Sequence, residues 1–575
     1  MEKNLTSVVS EKANLIWSIA DKITGVYKPH EYGDVILPLT VLKRFDDVLA
    51  DTKEEVVKAA EKFPETFAQR DMILKETSKQ NFYNTSKYDF KKLLDDPSNI
   101  EINLYNYING YSEEVQDIIE NFDLERHIKR MANNGILYST IEAFNSKNAN
   151  LNPKEVSNIE MGYIFEEIIR RFSESHNEEA GQHYTPREVI ELMVNIVFED
   201  QDDLADSSKI KTVYDGAVGT GGILSAAMEY ANSLNSSSKI LVYGQELNEQ
   251  TYAICKADML IKGQDANNIR HGNTLSGDLF PTDKFDYIMM NPPFGREWKN
   301  EKSAVEKEAK LGADGRFPAG TPAISDSQLL FLQNAVSKMN PEGSKVAIIH
   351  NGSALFKGDA GSGESEIRRY IIENDLLDCI IQLPTELFYN TGIATYIWVL
   401  SNKKPSHRQG KVQLINASNY FRKMRKSLGN KRNEMTKEHI DEITKIYGDF
   451  VENKVSKIYE NEYFGYRKVR VLQPEIDDKG NVVNDKKGNP VPNKELTDTE
   501  TIPLTEDIQE YMKREVLPFA PNAWIDKTKT KLGYEISFTK YFYEYKEPRK
   551  TEDIMKEILE LDAKLDGVLK ELKDE

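Results

Sequence analysis

The chain has 575 residues, 39% hydrophobic and 29% charged, with 75 Lys and Arg against 94 Asp and Glu, a formal net charge of −19. That is the composition of a folded globular chain of several domains, and no apolar run approaches the roughly 18 residues of a membrane span. The acidic balance argues against a freestanding tight DNA binder, because phosphate contacts dominate such affinity; DNA as substrate stays open if a local basic face or a basic partner supplies them.

The N-terminus, MEKNLTSVVSEK, lacks the apolar stretch of a signal peptide. The two cysteines, Cys255 and Cys379, sit in apolar sequence and read as buried thiols of a reducing cytoplasm. No Cys/His cluster has zinc spacing, so no metal is expected.

Residues 1–150 read as a helical domain. In Asn14–Tyr27, Leu15, Ile16, Ile19, Ile23 and Val26 recur at helical spacing, and Val35–Leu49 continues with Ile36, Leu39, Leu42, Phe45 and Leu49. Glu114–Ile128 and Leu137–Phe144 repeat the pattern. From residue 151 to 455 the texture changes to short apolar runs alternating with helical ones. The runs are Lys211–Asp215, Ile240–Glu246, Phe285–Asn291, Lys345–His350, Cys379–Leu383 and Thr395–Leu400. Such alternation predicts an α/β domain with a parallel sheet covered by helices, the last two runs forming an antiparallel edge pair. Residues 401–432 carry ten Lys or Arg and no Asp or Glu, which makes Arg422, Lys423, Arg425 and Lys426 candidates for contact with a DNA backbone. Residues 456–575 form a C-terminal region. Two Gly-Asn turns, at Gly480-Asn481 and Gly488-Asn489, suggest a polar hairpin insertion. The charged helix Glu552–Glu575 ends the chain, with a heptad seam through Ile554, Ile558, Leu561, Leu565, Val568 and Leu572.

Two motifs carry chemistry. Asn291-Pro292-Pro293-Phe294 follows a strand-like run and suits methylation of an exocyclic amino group on a base. The amino nitrogen is a poor nucleophile because its lone pair is delocalised into the ring. The Asn291 side-chain oxygen and the Pro292 carbonyl can each accept one amino hydrogen and so free that pair. Proline offers a carbonyl in a stiff turn without a competing N–H, and Phe294 offers a face on which a flipped base can stack. The second motif is Asp215-Gly216-Ala217-Val218-Gly219-Thr220-Gly221-Gly222, after the first predicted strand. Its glycines admit a ligand close to the backbone, but it is neither a Walker loop nor the GxGxxG register. Glu246 ends the next strand-like run, where an acid can hold ribose hydroxyls. S-adenosylmethionine fits this pair: a ribose, no phosphate and a charged tail. Upstream, Gly181-Gln182-His183-Tyr184-Thr185-Pro186-Arg187 opens an apolar helix, with Thr185 read as its N-cap and Pro186 in its first turn.

With these residues in view, the chain resembles the modification (M) subunit of type I restriction-modification systems, N6-adenine DNA methyltransferases of the gamma motif order. The resemblance runs through Ile16–Leu49, the Tyr184–Glu188 block, the glycine loop and Asn291–Phe294. It continues through Phe388–Ala394 (FYNTGIA), Leu517–Asp526 (LPFAPNAWID) and Gly533–Tyr543 (GYEISFTKYFY). It implies a Rossmann-like mixed sheet with an N-terminal helical domain and a C-terminal helical tail. It also implies S-adenosyl-L-methionine as cofactor. The cofactor contacts carry over to Gln182, His183, Tyr184, Thr185, Pro186, Arg187, Asp215, Gly219, Thr220, Gly221, Gly222 and Glu246, and the catalytic motif to Asn291–Phe294. Three positions, in two blocks, depart from the common pattern. Gly216 and Val218 stand where Pro and Cys are frequent, and Asn273 stands where many relatives have Asp, so a contact from there to the cofactor adenine would keep a hydrogen bond but lose a charge. The implied partners are double-stranded DNA, a specificity subunit bound by two copies of this chain, and an ATP-dependent restriction subunit. The rival reading is a catalytically silent, cofactor-binding scaffold of a restriction complex. Methylation of RNA or of protein glutamine shares the Asn-Pro-Pro-aromatic chemistry.

Overall fold

The computed structural model describes residues 2–174, 185–199, 209–235, 239–389, 391–543 and 550–574. The chain divides into two units, Met1–Ile536 and Ser537–Glu575. No helix among the described residues is long and apolar enough to cross a membrane.

The first unit begins with helices. Glu2–Ile23 ends where Gly25 takes a positive φ of 90°, so Val26, predicted on that helix, lies in the turn after it and still packs on the core. Tyr32–Leu49 is buried almost all round, with Val35, Ile36, Leu39, Leu42 and Phe45 inside. The stretch predicted as one helix over Glu114–Ile128 is two, Glu113–Asn121 and Leu124–Asn133, broken at Asp123 in the left-handed region. Buried Arg44 donates to the carbonyls of Leu151 and Val156 and to Asn158 Oδ1, pinning the connector that leads into the sheet.

The main sheet has nine strands in the order β11-β8-β6-β7-β5-β4-β1-β2-β3. They are β1 Ile210–Asp215, β2 Lys239–Glu246, β3 Ile269–His271, β4 Tyr287–Met290, β5 Lys345–Asn351, β6 Leu377–Gln382, β7 Thr395–Ser401, β8 Lys411–Asn416 and β11 Ser456–Glu460. Neighbours are parallel except that β7 is antiparallel to both β5 and β6, and β11 to β8. The sheet is therefore mixed, as the resemblance implies. The predicted antiparallel pair exists, but not as an edge: β7 is inserted between β5 and β6, and two further strands lie beyond. A fully buried strand reads as the same apolar run in any position or direction.

One sheet face is covered by the helices Arg187–Phe198, Gly222–Leu234 and Lys437–Asp449. The helix Glu249–Ile261 serves two cores. Tyr252, Cys255 and Met259 face the sheet, while Ala253, Ile254, Ala257 and Leu260 join the N-terminal helices. Polar ties cross the same boundary, from Gln250 to Asp34 at 2.6 Å and from Tyr252 to Asp117 at 3.1 Å. Both cysteines are buried and free.

The basic run contains the hairpin of β9 (Arg422–Leu428) and β10 (Lys431–Glu434). Beyond β11 a separate three-stranded antiparallel sheet forms from β12 (Gly465–Leu472), β13 (Asp498–Pro503) and β14 (Trp524–Tyr534). Between β12 and β13 the chain makes two nested turns. In each an aspartate, Asp477 or Asp485, accepts from backbone N–H groups while the following glycine, Gly480 or Gly488, takes a positive φ. In the second unit, Thr551–Asp574 is one helix.

Candidate functional site

The order of strands reverses at β1: β2 lies on one side of it and β4 on the other. In open α/β sheets the crevice beyond the strand ends at such a switch point is where ligands bind. Here the glycine loop leaves β1 and Asn291–Phe294 leaves β4, so connectivity alone brings both motifs to one crevice.

The loop is shaped by its glycines. Gly221 caps the helix Gly222–Leu234 with φ of 86°, and a Cβ there would lie 2.8 Å from Cys255 Sγ. Gly216, the departure from the common proline, has its cause in Tyr214: a Cβ at 216 would meet the Tyr214 hydroxyl at 2.9 Å. Val218, the other departure, packs over Gly244 of β2, where an added Cβ would approach it to 2.9 Å.

Of the predicted residues, Thr185, Asp215, Gly219, Thr220 and Gly222 line the crevice. Glu246, Asn273, Asn291 and Pro293 complete the set. Pro292 is buried beside it, and Phe294 is half-buried with its ring 6.3 Å from Phe388, edge to face. Arg187 is not in the crevice; it lines a second cavity of about 310 Å³ between helices. Gln182, His183 and Tyr184 lie outside the described residues.

Thr185 is not an N-cap. Pro186 holds that position, and its carbonyl takes the N–H groups of Val189 and Ile190. The Thr185 hydroxyl oxygen instead accepts from Asn291 Nδ2 at 2.8 Å. That bond fixes the amide's orientation and leaves Asn291 Oδ1 buried without a partner among the described residues. A buried orphan acceptor costs about 1–3 kcal/mol, which a ligand donor would restore.

The acids are set differently. Glu246 is 7% exposed; its Oε2 accepts the Gly219 N–H at 2.8 Å and its Oε1 the Asn248 N–H at 2.9 Å. It thus holds the glycine loop while each oxygen keeps a second lone pair. Asp215 is 1% exposed, with Oδ1 accepting the Ala217 N–H at 2.9 Å and Oδ2 unpartnered among the described residues. Burial pushes its pKa up to about 8, and the nearby Glu246 carboxylate adds to the rise. Asn273 is engaged at both ends, Nδ2 donating to Glu301 at 2.7 Å and Oδ1 accepting the Leu275 N–H at 2.9 Å.

Several lining residues escape the sequence motifs: Leu247, Leu275, Arg296, Ser327 and Phe331. The signal available for the last two was Asp326-Ser327-Gln328 ahead of an apolar helix, a helix start with no mark of chemistry. Among the described residues Ser327 Oγ is buried without a partner, and its N–H donates to the Arg296 carbonyl, so that helix start closes the crevice wall.

The family described as N-6 DNA Methylase matches residues 157–479, more than half of the chain. The chain belongs to that family. A second match, HsdM N-terminal domain, covers residues 12–144. The type I restriction enzyme MjaIX methylase subunit of Methanocaldococcus jannaschii is 26% identical over 489 residues, spanning 80% of this chain and 81% of that one. The HindI methylase subunit of Haemophilus influenzae is 28% identical over 281 residues, 48% of this chain and 58% of that one. Among solved structures, the type I restriction-modification methyltransferase subunit from Streptococcus thermophilus superposes with a TM-score of 0.64 at 23% identity, over 79% of this chain and 97% of that one. The fold is that of an S-adenosyl-L-methionine-dependent methyltransferase. The residues present fit this cofactor: an unpartnered buried carboxylate oxygen on Asp215 for a cationic tail, and the Glu246 carboxylate for ribose hydroxyls.

Proposed function

We infer that this chain is a site-specific DNA methyltransferase subunit that transfers a methyl group from S-adenosyl-L-methionine to N6 of adenine within a type I restriction-modification complex. The observation that carries the reading is Asn291 Oδ1, buried, unpartnered and aimed by Thr185 beside the cofactor crevice.

The cofactor, when bound, supplies a methyl group on a sulfonium, an excellent leaving group. The chain's task is positioning and release of the lone pair. Asn291 Oδ1 accepts one amino hydrogen of the flipped adenine and the Pro292 carbonyl the other. Phe294, braced edge to face by Phe388, stacks on the base. Glu246 would hold the ribose hydroxyls, Asp215 the cationic tail, and Thr220–Gly222 would form the floor. With that leaving group supplied by the cofactor, no strong general base would be required of this chain, and the N6 proton would pass to solvent. The test is transfer of a labelled methyl group to duplex DNA by the assembled complex, with N6-methyladenine read by single-molecule sequencing. Cofactor binding without any transfer would support the silent scaffold instead.

Supporting cytoplasmic partners follow from the same reading: two copies of this chain on one specificity subunit, which reads the sequence, and an ATP-dependent subunit in the nuclease form. The helix Thr551–Asp574 is the docking element for the specificity subunit. Ile554, Ile558 and Leu561 of its seam are 40, 52 and 59% exposed, and so charged a helix gains little alone in water. Truncation before Thr551 should leave cofactor binding intact and abolish co-purification with the specificity subunit. A truncated chain that assembles at normal affinity sinks this assignment.

A further inference from the structure

Two blocks of the family resemblance, Leu517–Asp526 and Gly533–Tyr543, have no part in the crevice. They bracket β14, and between them lies Lys527-Thr528-Lys529-Thr530-Lys531. On β12, Lys468 pairs across with Lys531 and Arg470 with Asp526, so two steps of β12 face five of β14 and Lys527–Thr530 bulge from the ladder. Val469, Val471 and Ile502 turn the other way, into a small core with Met512 and Val516. The remaining face is open and basic. Arg470, Lys527, Lys529 and Lys531 are exposed, and among the described residues none has an acid within 4.0 Å, the nearest negative charges being Asp526 beside Arg470 and Lys529, and Asp359 beside Lys531. Lys468 alone is paired, to Asp359 at 2.5 Å. A Lys–Lys pair directly across a ladder is destabilising in the free protein, and a chain of net charge −19 offers no general reason to gather cations there.

The face has a fixed place. Buried Arg368 donates to the carbonyls of Tyr534 at 2.6 Å and Ala354 at 3.1 Å, and the Ile536 N–H donates to the Leu355 carbonyl at 2.9 Å. A Cβ on Gly361 would come within 3.4 Å of Lys531 Cδ. These contacts seat the strip on the segment that leaves the end of β5, and β5 runs parallel beside β4, whose end carries Asn291. The strip and the reaction site therefore share one rim of the main sheet.

We propose that the β12–β14 face, through Arg470, Lys527, Lys529 and Lys531, seats the phosphate backbone of the DNA duplex beside the methylated base. This deepens the functional reading above and rests on it. Asp526 and Lys531 face β12 residues only two apart, so the bulge between them rises from a base roughly 7 Å wide, and phosphates recur every ~3.4 Å of axis along each DNA strand, so the gathered cations reach neighbouring phosphates. A flipped adenine needs its flanking backbone held, and the crevice itself presents the Glu246 side chain and not a cluster of cations.

The test uses the assembled methyltransferase complex with Lys527, Lys529 and Lys531 changed together to Ser, and a control with all three changed to Arg. Duplex affinity by fluorescence anisotropy and the KM for DNA are measured across about 50–200 mM salt. Each lost phosphate contact removes about one from the slope of log affinity against log salt, so the serine variant should lose two to three, and its KM should rise on the order of tenfold or more. Its kcat and its affinity for S-adenosyl-L-methionine should be unchanged, and the arginine control should keep the slope. An unchanged slope in an intact complex overturns the proposal. An unchanged slope with loss of a partner subunit also overturns it and makes the strip a protein-docking face. Failure of the wild-type complex to methylate DNA, with duplex binding still reporting on the strip, would instead strike the reading beneath it.

Discussion

In the run Lys403–Arg432, Lys404, Arg408 and Lys431 are 6, 4 and 3% exposed, and they pair with Asp375, Asp378 and Glu188 respectively. Arg422 and Arg432 reach Glu434 and Glu386, so among the described residues Lys403, Lys423 and Arg425 are exposed without an ion pair. On the β12–β14 face cations from strands more than fifty residues apart meet, and among the described residues only Lys468 of them has an ion pair, with Asp526 the acid opposite Arg470. A run of charge in sequence is thus a poor guide to free charge in space. Burying a lone cation costs several kcal/mol, so a folded basic run draws acids from elsewhere in the chain. The crevice repeats the contrast with hydrogen-bonding groups, since Asn291 Oδ1 and Asp215 Oδ2 are unspent. Spent groups should matter for stability and unspent ones for function, and substitutions can separate the two.

The largest effect is expected at Asn291. Asn291→Ala removes an unspent acceptor and should lower methyl transfer at least about 100-fold, the scale for one positioned transition-state group. Cofactor affinity and melting temperature should hold. Calorimetric titration showing equal loss of cofactor binding would contradict the role.

Spent cations should do the opposite. Lys431→Met leaves the Glu188 carboxylate without its cation in a largely buried place, and Arg408→Met does the same to Asp378. Each should cost about 3–5 kcal/mol of stability, read as a fall in melting temperature, while the folded fraction keeps its salt slope on DNA. A slope that flattens would return these residues to the DNA surface. Glu246→Ala lies between the two classes, because this carboxylate both holds the Gly219 N–H and keeps free lone pairs. Cofactor affinity should fall roughly tenfold or more, the scale of a lost charged hydrogen bond, ahead of any loss in kcat at saturation. Smaller again is the β9–β10 hairpin. Reversing charge at Arg422, Lys423, Arg425 and Lys426 should weaken duplex binding and flatten the salt slope by about one or two, less than the serine variant of β14.

Much of the architecture was legible because the central strands are buried on both faces and read as unbroken apolar runs. The crevice was legible because a glycine loop and Asn291–Phe294 each end such a run. What could not be read is what depends on partners distant in sequence. The antiparallel pairing of β6 with β7 is legible, but nothing in Thr395–Leu400 says that β7 enters between β5 and β6 and not at an edge. Thr185 reads as a helix cap until Asn291, over a hundred residues on, takes its hydroxyl. The acids that spend Lys404, Arg408 and Lys431 lie outside the basic run altogether. The strip on β14 escaped for the converse reason, because its cations are diluted in sequence and gathered only by the register with β12.

The smallest effect, and the sharpest test of an unspent group, is in the proton balance at Asp215. Its pKa in the folded chain is raised from 3.8 to about 8, so the unliganded carboxyl is largely protonated at pH 7, while in the unfolded chain it ionises near pH 4. Its contribution to stability is therefore full below about pH 4 and lost as pH rises toward 8. Cofactor binding has the opposite sign. A cationic tail against Oδ2 favours the ionised form, so binding near pH 7 should expel about one proton, and affinity should strengthen between roughly pH 5.5 and 7.5. Calorimetry at pH 7 in two buffers of different ionisation enthalpy measures that proton directly. Asp215→Asn should bind more weakly, release no proton from this site and lose the extra pH dependence; titration of the cofactor's own amine is common to both proteins and cancels in the comparison. Equal apparent heats in the two buffers for the wild-type chain would show that Asp215 is already ionised, or that the tail lies elsewhere in the crevice.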